Sequence, residues 1–156
     1  MTLEIRALDL GDRGTVDAIV LLQRASYRVE ADLLGARTLP ALTETSRQLG
    51  ASGERFLGAF ERARLVGAVA WKRRGPLVDI HRLVVDPDRF RRGIAGRLLD
   101  ALEEHEPDAE RMTVATGAAN PPARRLYERR GFTPVEERVA SGSIGIVIYE
   151  LVKTRR

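Results

Sequence analysis

LVVDPDRFRRGIAG, residues Leu83–Gly96, is the stretch on which the fold of this chain turns. Leu83-Val84-Val85 is apolar on both faces, as a central strand covered on both sides requires. Asp86-Pro87 closes that strand. A turn rich in arginine and glycine follows, and a helix opens at Gly93-Ile94, with Ile94, Leu98, Leu99 and Leu102 recurring at helical spacing. A helix start presents free backbone N–H groups and the positive end of the helix dipole, which suits phosphate. Gly93, Ala95 and Gly96 have little or no side chain, so a bulky pyrophosphate has access to the backbone. Arg89, Arg91, Arg92 and Arg97 stand out as a dense basic cluster. A structural reading explains the same residues: the glycines permit the turn and Ala95 packs the helix on the sheet. Spacing alone leaves both readings open.

Upstream, Leu3, Ile5 and Ala7 alternate with polar residues and predict a short first strand. Gly11-Asp12 supplies a turn and an N-cap. Val16, Ile19, Val20 and Leu22 fit a helix ending around Tyr27. Pro40 begins a second short helix at a position where its missing N–H costs nothing, and Gly50 stops it. Phe56–Phe60 and Leu65–Trp71 flank the charged turn 61–64 as a hairpin, and Gly75-Pro76 leads into Leu77–Val85. Downstream, Pro107 ends the helix region and Met112–Thr116 is a strand. Asn120-Pro121 starts another helix with Ala123, Leu126 and Tyr127 on one face. Gly131 is its C′ glycine. Val135–Ala140 and Ile144–Val152 form a final hairpin around Ser141-Gly142-Ser143. The predicted order is β α α β β β α β α β β in one domain over residues 1–156: α/β, with an antiparallel first half and one strand–helix–strand–helix unit.

Composition narrows the chemistry. A chain of 156 residues with 44% hydrophobic and 31% charged residues is of one-domain, soluble globular type. Ala18–Leu22 is the longest aliphatic run, too short to span a bilayer, and no signal peptide is visible, so a cytoplasmic location is expected. Without cysteine there is no thiol nucleophile, disulfide or Cys-type metal site, and the two histidines, His81 and His105, lie far apart, so no metal is expected. The net charge of +4 rests almost wholly on arginine. No P-loop, no dinucleotide fingerprint and no Gly-x-Ser-x-Gly occurs. The seven Phe and Tyr residues are not interleaved with the bases as a nucleic-acid stacking platform requires, so a nucleic-acid partner is not expected.

A second block, NPPARRLYERRGF at residues 120–132, makes the pattern specific. A Gly-rich turn after a buried strand, then Asn120, Ala123, Leu126, Tyr127, Gly131 and Phe132 at this spacing, resembles the GNAT superfamily of N-acetyltransferases. The element order matches across nearly the whole chain. In the first block Phe90 stands where that family usually carries Gln or Arg, while Gly93 and Ala95 match.

The resemblance implies a GNAT-like fold: a mixed, mostly antiparallel central sheet flanked by about four helices. It implies acetyl-CoA as donor and an amine, on a small molecule or a protein, as acceptor. The pantetheine arm would lie along the backbone of Leu83, Val84 and Val85. The pyrophosphate would rest on Arg91, Arg92, Gly93, Ile94, Ala95 and Gly96, with Arg97 near and Asn120 contacting the cofactor. Tyr127 would protonate the departing thiolate. A base that some relatives carry on the strand before the second block falls here on Ala115, so that route is missing. A base that others carry on the preceding strand falls on Asp79, which shares a strand face with His81. Water carrying the proton from a neutral amine is the other route. The acceptor pocket is expected near Tyr27, Glu30, Asp32 and Glu44. The rival reading is a non-catalytic acyl-CoA-binding or sensing module. A homodimer through a strand edge or the last hairpin is also compatible.

Overall fold

The computed structural model describes residues 2–37, 39–140 and 144–153. Strand β1 (Glu4–Ala7) leads through a turn to helix α1 (Arg13–Leu34), which Asp12 caps by accepting the Thr15 N–H at 3.1 Å. α1 extends a full two turns past Tyr27 and stops at Gly35, in the left-handed conformation at φ 67°. The apolar markers thin out after Leu22, so the sequence reading ended the helix early. Its last turns still hold on the buried Ala31. The single short helix expected from Pro40 to Gly50 is two: α2 (Pro40–Thr43) and α3 (Ser46–Gly50). Thr45 and Gln48 restart the chain with a reciprocal capping box.

The strands then follow as β2 (Arg55–Glu61), β3 (Arg64–Arg74) and β4 (Leu77–Val85). A short 3-10 turn (Pro87–Arg89) precedes α4 (Ile94–His105), and β5 (Arg111–Gly117), α5 (Pro121–Arg129), β6 (Thr133–Ala140) and β7 (Ile144–Val152) complete the chain. The turn expected at Ser141-Gly142-Ser143 lies outside the described residues. The seven strands form one sheet in the order β1-β2-β3-β4-β5-β7-β6, antiparallel except where β4 meets β5. With five α-helices among the described residues, this is the mixed α/β, mostly antiparallel architecture expected, with one helix more than the sequence indicated.

The helices cover both faces. On one, Ile94, Leu98, Leu99 and Leu102 of α4 and Tyr127 of α5 pack on Val66, Val69, Trp71, Val78 and Ile80. On the other, Val16, Ile19 and Val20 of α1 and Leu49 of α3 pack on Phe56 and Ala70. Gly67 of β3 lets α4 sit directly on the sheet, since a Cβ there would lie 2.8 Å from Ile94 Cγ2. This close approach fixes the height of the α4 N-terminus above β4. No helix among the described residues is long and apolar enough to cross a membrane.

Candidate active site

Two irregularities in β4 create the site. Its pairing with β5 runs from Leu77↔Arg111 to Ile80↔Val114, after which β4 continues to Val85 alongside β3. Against β3 the register passes from Trp71↔Ile80 to Ala70↔Arg82, leaving His81 as an extra residue in a bulge. A bulge bends the strand and increases its twist, and here it falls at the point where β4 leaves β5. The Asp86 N–H donates to Val66 O at 2.9 Å and so faces β3. Alternation turns the backbone groups of Val85 and Leu83 the other way, into the gap. The Val85 N–H already meets Ser26 Oγ of α1 there, at 3.4 Å.

Above the gap lies a groove of about 730 Å³. Its walls are Ser26 and Glu30 of α1, Leu83 and Val85 of β4, the turn at Phe90 and Arg91, and the first turn of α4 at Gly93, Ile94, Ala95 and Gly96. Asn120, Ala123 and Leu126 face these from the α5 side. Gly93 is the N-cap of α4 at φ 76° and offers no side-chain cap; the Arg97 N–H is the first to close, onto Gly93 O at 3.1 Å. The N–H groups of Ile94, Ala95 and Gly96 therefore lack helix carbonyl partners, at the positive end of the dipole. Arg91 is also left-handed, at φ 65°, an uncommon state for a residue with a side chain.

The structure sorts the basic cluster differently from the sequence. Arg89 turns back onto Asp86 Oδ2 at 2.9 Å and Glu61 Oε1 at 3.2 Å, so it braces the turn instead of offering a free charge. Arg91 lines the groove, while Arg92 and Arg97 are exposed and outside its lining. Arg125 and Arg129 of α5 line it from the other wall. Sequence reasoning missed both, although their four-residue spacing puts them on one helix face. Val84 does not line the groove: its side chain is buried with Leu22 and Ala68, and its backbone groups alternate toward β3.

Asn120 caps α5 by accepting the Ala123 N–H at 3.3 Å, and its amide donates to Glu30 Oε1 at 3.5 Å. Burial pushes the Glu30 carboxyl above its usual range, against the pull of that amide. Tyr127 is only 4% exposed and packs on Phe132 and Tyr149, with ring centroids 5.5 and 5.9 Å away. Its hydroxyl has no hydrogen bond among the described residues, whereas Tyr149 donates to Glu128 and accepts from Arg124. Burial, then the proximity of Tyr27 and Glu30, pushes the Tyr127 phenol well above its ordinary range. Tyr127 lines neither the groove nor a second cavity beside it, though Glu30 of the groove and Tyr27 of the second cavity both act on its phenol.

That cavity, about 630 Å³, is lined by Tyr27, Pro40, Ala41, Thr43, Glu44, Gln48, Glu54, His81 and Arg82. Asp79 and His81, two apart on β4, are in contact, His81 Nε2 lying 3.2 Å from Asp79 Oδ2, and the bulge brings Arg82 to the same face. Asp79 Oδ1 accepts from Thr113 at 3.1 Å, and His81 Nδ1 stands 3.4 Å from Glu54 Oε1. Arg82 is clamped between Glu44 and Glu54. Burial pushes the Glu44 carboxyl up, but its bonds with Arg82 and Gln23 outweigh that and hold it below the usual carboxylate range. Of the acidic residues expected near the acceptor, Glu44 lines this cavity and Glu30 lines the groove, while Asp32 is exposed and lines neither. Among the described residues no cluster is placed to hold a metal ion.

Comparison with known proteins agrees with this geometry. The family model described as Acetyltransferase (GNAT) domain matches residues 35–153. The UPF0157 protein YqkA of Bacillus subtilis (strain 168) is 34% identical over 138 residues, covering 88% of this chain; the chain spans 40% of that relative's length. The ribosomal-protein-S18-alanine N-acetyltransferase from Escherichia coli superposes with a TM-score of 0.79 at 15% identity, over 99% of this chain and 96% of that one. The PaiA N-acetyltransferase from Thermoplasma acidophilum, solved in complex with coenzyme A, gives 0.78 at 20% identity, over 98% and 100%. The solved structures share the fold at low identity, and the family model covers the bulged strand, the turn, the uncapped helix and the Asn120–Phe132 block: the chain belongs to the GNAT acetyltransferase family.

Proposed function

We propose that this chain is an acetyl-CoA-dependent N-acetyltransferase in which an amine attacks the thioester directly, with no covalent enzyme intermediate. One observation carries the reading. The backbone of Leu83 and Val85, freed where β4 leaves β5, runs along a groove that ends on the uncapped first turn of α4. An extended amide-bearing arm pairs with the first as a strand would, and a pyrophosphate takes the N–H groups of the second. Arg91, Arg125 and Arg129 supply positive charge around it.

In the reaction the amine nitrogen bonds to the acyl carbon, the carbon–sulfur bond breaks, and the thiolate takes a proton. Tyr127 supplies that proton. Its raised pKa keeps the phenol protonated at neutral pH, and its hydroxyl has no competing partner among the described residues. The acceptor arrives as an ammonium and must lose a proton first. His81, flanked by Asp79 at Nε2 and Glu54 at Nδ1 on the wall of the second cavity, takes that proton, and the two carboxylates stabilise the imidazolium. Asn120 holds the start of α5 and meets the pantetheine arm.

A thermal-shift titration with acetyl-CoA, run beside ATP and NAD at equal concentration, tests the donor site. Ligand at 100 times its Kd adds about 2.7 kcal/mol. A saturable shift with acetyl-CoA alone is expected. No shift, or an equal shift with all three, would leave the groove a generic anion site and remove the main support for acetyl transfer.

A further inference from the structure

Arg82 decides what the second cavity accepts. A guanidinium has five N–H donors. Here Nε bonds Glu54 at 3.0 Å, Nη1 bonds Gln23 Oε1 at 2.8 Å and also Glu44, and Nη2 bonds Glu44 Oε2 at 2.9 Å and Glu54 Oε2 at 2.7 Å. Every donor is engaged, and the side chain is only 12% exposed. Arg82, the one strong cation lining the cavity among the described residues, therefore has nothing left to offer a substrate carboxylate.

What the wall does offer is acceptors and net negative charge. Glu44 and Glu54 set two carboxylates against the one guanidinium, and Asp79 stands behind His81. Tyr27 lines the same cavity, and its hydroxyl has no hydrogen-bond partner among the described residues. Desolvation, reinforced by Glu30, keeps that hydroxyl protonated at the cavity wall, on a half-buried side chain. A hydroxyl without a partner at the cavity wall is free to bond a ligand. The groove beyond is basic, with Arg91, Arg125 and Arg129, so the two halves of the site have opposite electrostatic character.

Resting on the acetyl-transfer reading above, we infer that the acceptor is a small amine with a second cationic group and no carboxylate, of the diamine or polyamine class. One amine would meet the thioester while the second is held by Glu44, Glu54 and the Tyr27 hydroxyl. An α-amino acid would bring its carboxylate against Glu44 and Glu54 with no free cation among the described residues of the wall to receive it, only the neutral Tyr27 hydroxyl and Gln48 amide.

The test uses matched pairs that differ by one carboxylate: 1,5-diaminopentane against lysine, and agmatine against arginine. Thiol release is followed with saturating acetyl-CoA, after acetyl-CoA binding has been verified separately by thermal shift. At least tenfold higher kcat/KM for the decarboxylated member of each pair is expected. Equal use, or preference for the amino acid, overturns the inference. So does acetyl-CoA binding with no turnover of any of the four. Failure of acetyl-CoA to bind instead removes the acetyl-transfer reading. Glu44→Ala frees N–H donors on Arg82 and is expected to narrow the ratio at least threefold; Glu44→Gln removes the charge while keeping the side chain's size. If both variants melt as the parent does and the ratio does not move, Glu44 and Arg82 do not set the preference and the inference falls.

Discussion

Replacing Gly93 by alanine adds one methyl group where nothing lies within 4 Å of it, so the change acts through backbone conformation and not through collision. The residue sits at φ 76°. Holding an L-residue in the left-handed region costs about 1–2 kcal/mol, and the stiffer unfolded chain returns about 0.4–1 kcal/mol of this. The net loss is about 1 kcal/mol. For 156 residues this lowers Tm by about 3 °C. Relaxing that φ also re-aims the first N–H groups of α4. A hydrogen bond to a charged group contributes about 1.5–3 kcal/mol, and losing about half of one weakens acetyl-CoA binding by roughly three- to tenfold. Gly75→Ala is the internal control. Gly75 has φ 56° and equally open surroundings, but it lies in the β3–β4 turn away from the groove. Both variants are expected to lose similar Tm, and only Gly93→Ala to raise the half-saturation concentration in an acetyl-CoA titration. Equal weakening by both variants, or unchanged binding in Gly93→Ala, would refute the claim that the α4 N-terminus holds the donor.

Tyr127→Phe is expected to lower kcat at least tenfold while KM for acetyl-CoA stays within about twofold, in a thiol-release assay; an unchanged kcat across pH would remove the proton-donor role. Glu106 is buried and accepts from Arg55 at 2.6 Å, Trp71 Nε1 at 3.1 Å and Arg73 at 2.7 Å. Glu106→Gln is expected to cost about 1–3 kcal/mol at pH 7, or roughly 3–9 °C in Tm by calorimetry. Burial raises that carboxyl, but its bonds to Trp71, Arg73 and Arg55 outweigh burial and hold it below the ordinary 4.5. A lowered folded-state pKa means the unfolded chain binds more protons in that window. The stabilisation is therefore complete above about pH 4.5 and lost as pH falls through the folded value, so the gap between parent and Glu106→Gln should close on acidification. A gap that stays constant with pH would refute this.

Much of the fold was legible because the decisive signals are local. Leu83–Val85, the glycines of the turn, the Ile94–Leu102 period and the Asn120–Gly131 frame each carry a mechanism readable from neighbouring residues. The end of α1 was not, because its last turns hold on Ala31 and a glycine stop instead of a continuing apolar stripe. The Thr45–Gln48 capping box is a sequence signature that was there to be read. In the site, strand parity puts Asp79 and His81 on one face, and the two side chains lie in contact. The partners of Arg82 were not legible, since Gln23, Glu44 and Glu54 come from α1, the α2–α3 link and the approach to β2. Nor was the folding back of Arg89 onto Glu61, which depends on β2 lying beside β3.

The extra residue at position 81 changes how much chemistry one strand can present. On a regular strand, side chains on a common face recur about every 6.6–6.8 Å, so four consecutive positions place only two there. In β4 the contacts of Asp79, His81 and Arg82 bring three polar side chains of one four-residue stretch into a single connected cluster. Val78 and Ile80 before the bulge, and Leu83 and Val85 after it, still serve the same apolar cluster beneath α4. The inserted residue thus lets a short segment of backbone concentrate its polar groups without giving up its apolar anchors. Absorbing it into a regular ladder, with the residue kept and the bulge lost, would slip every later side chain of β4 to the opposite face, sending the apolar anchors toward α1 and the Arg82 guanidinium toward α4.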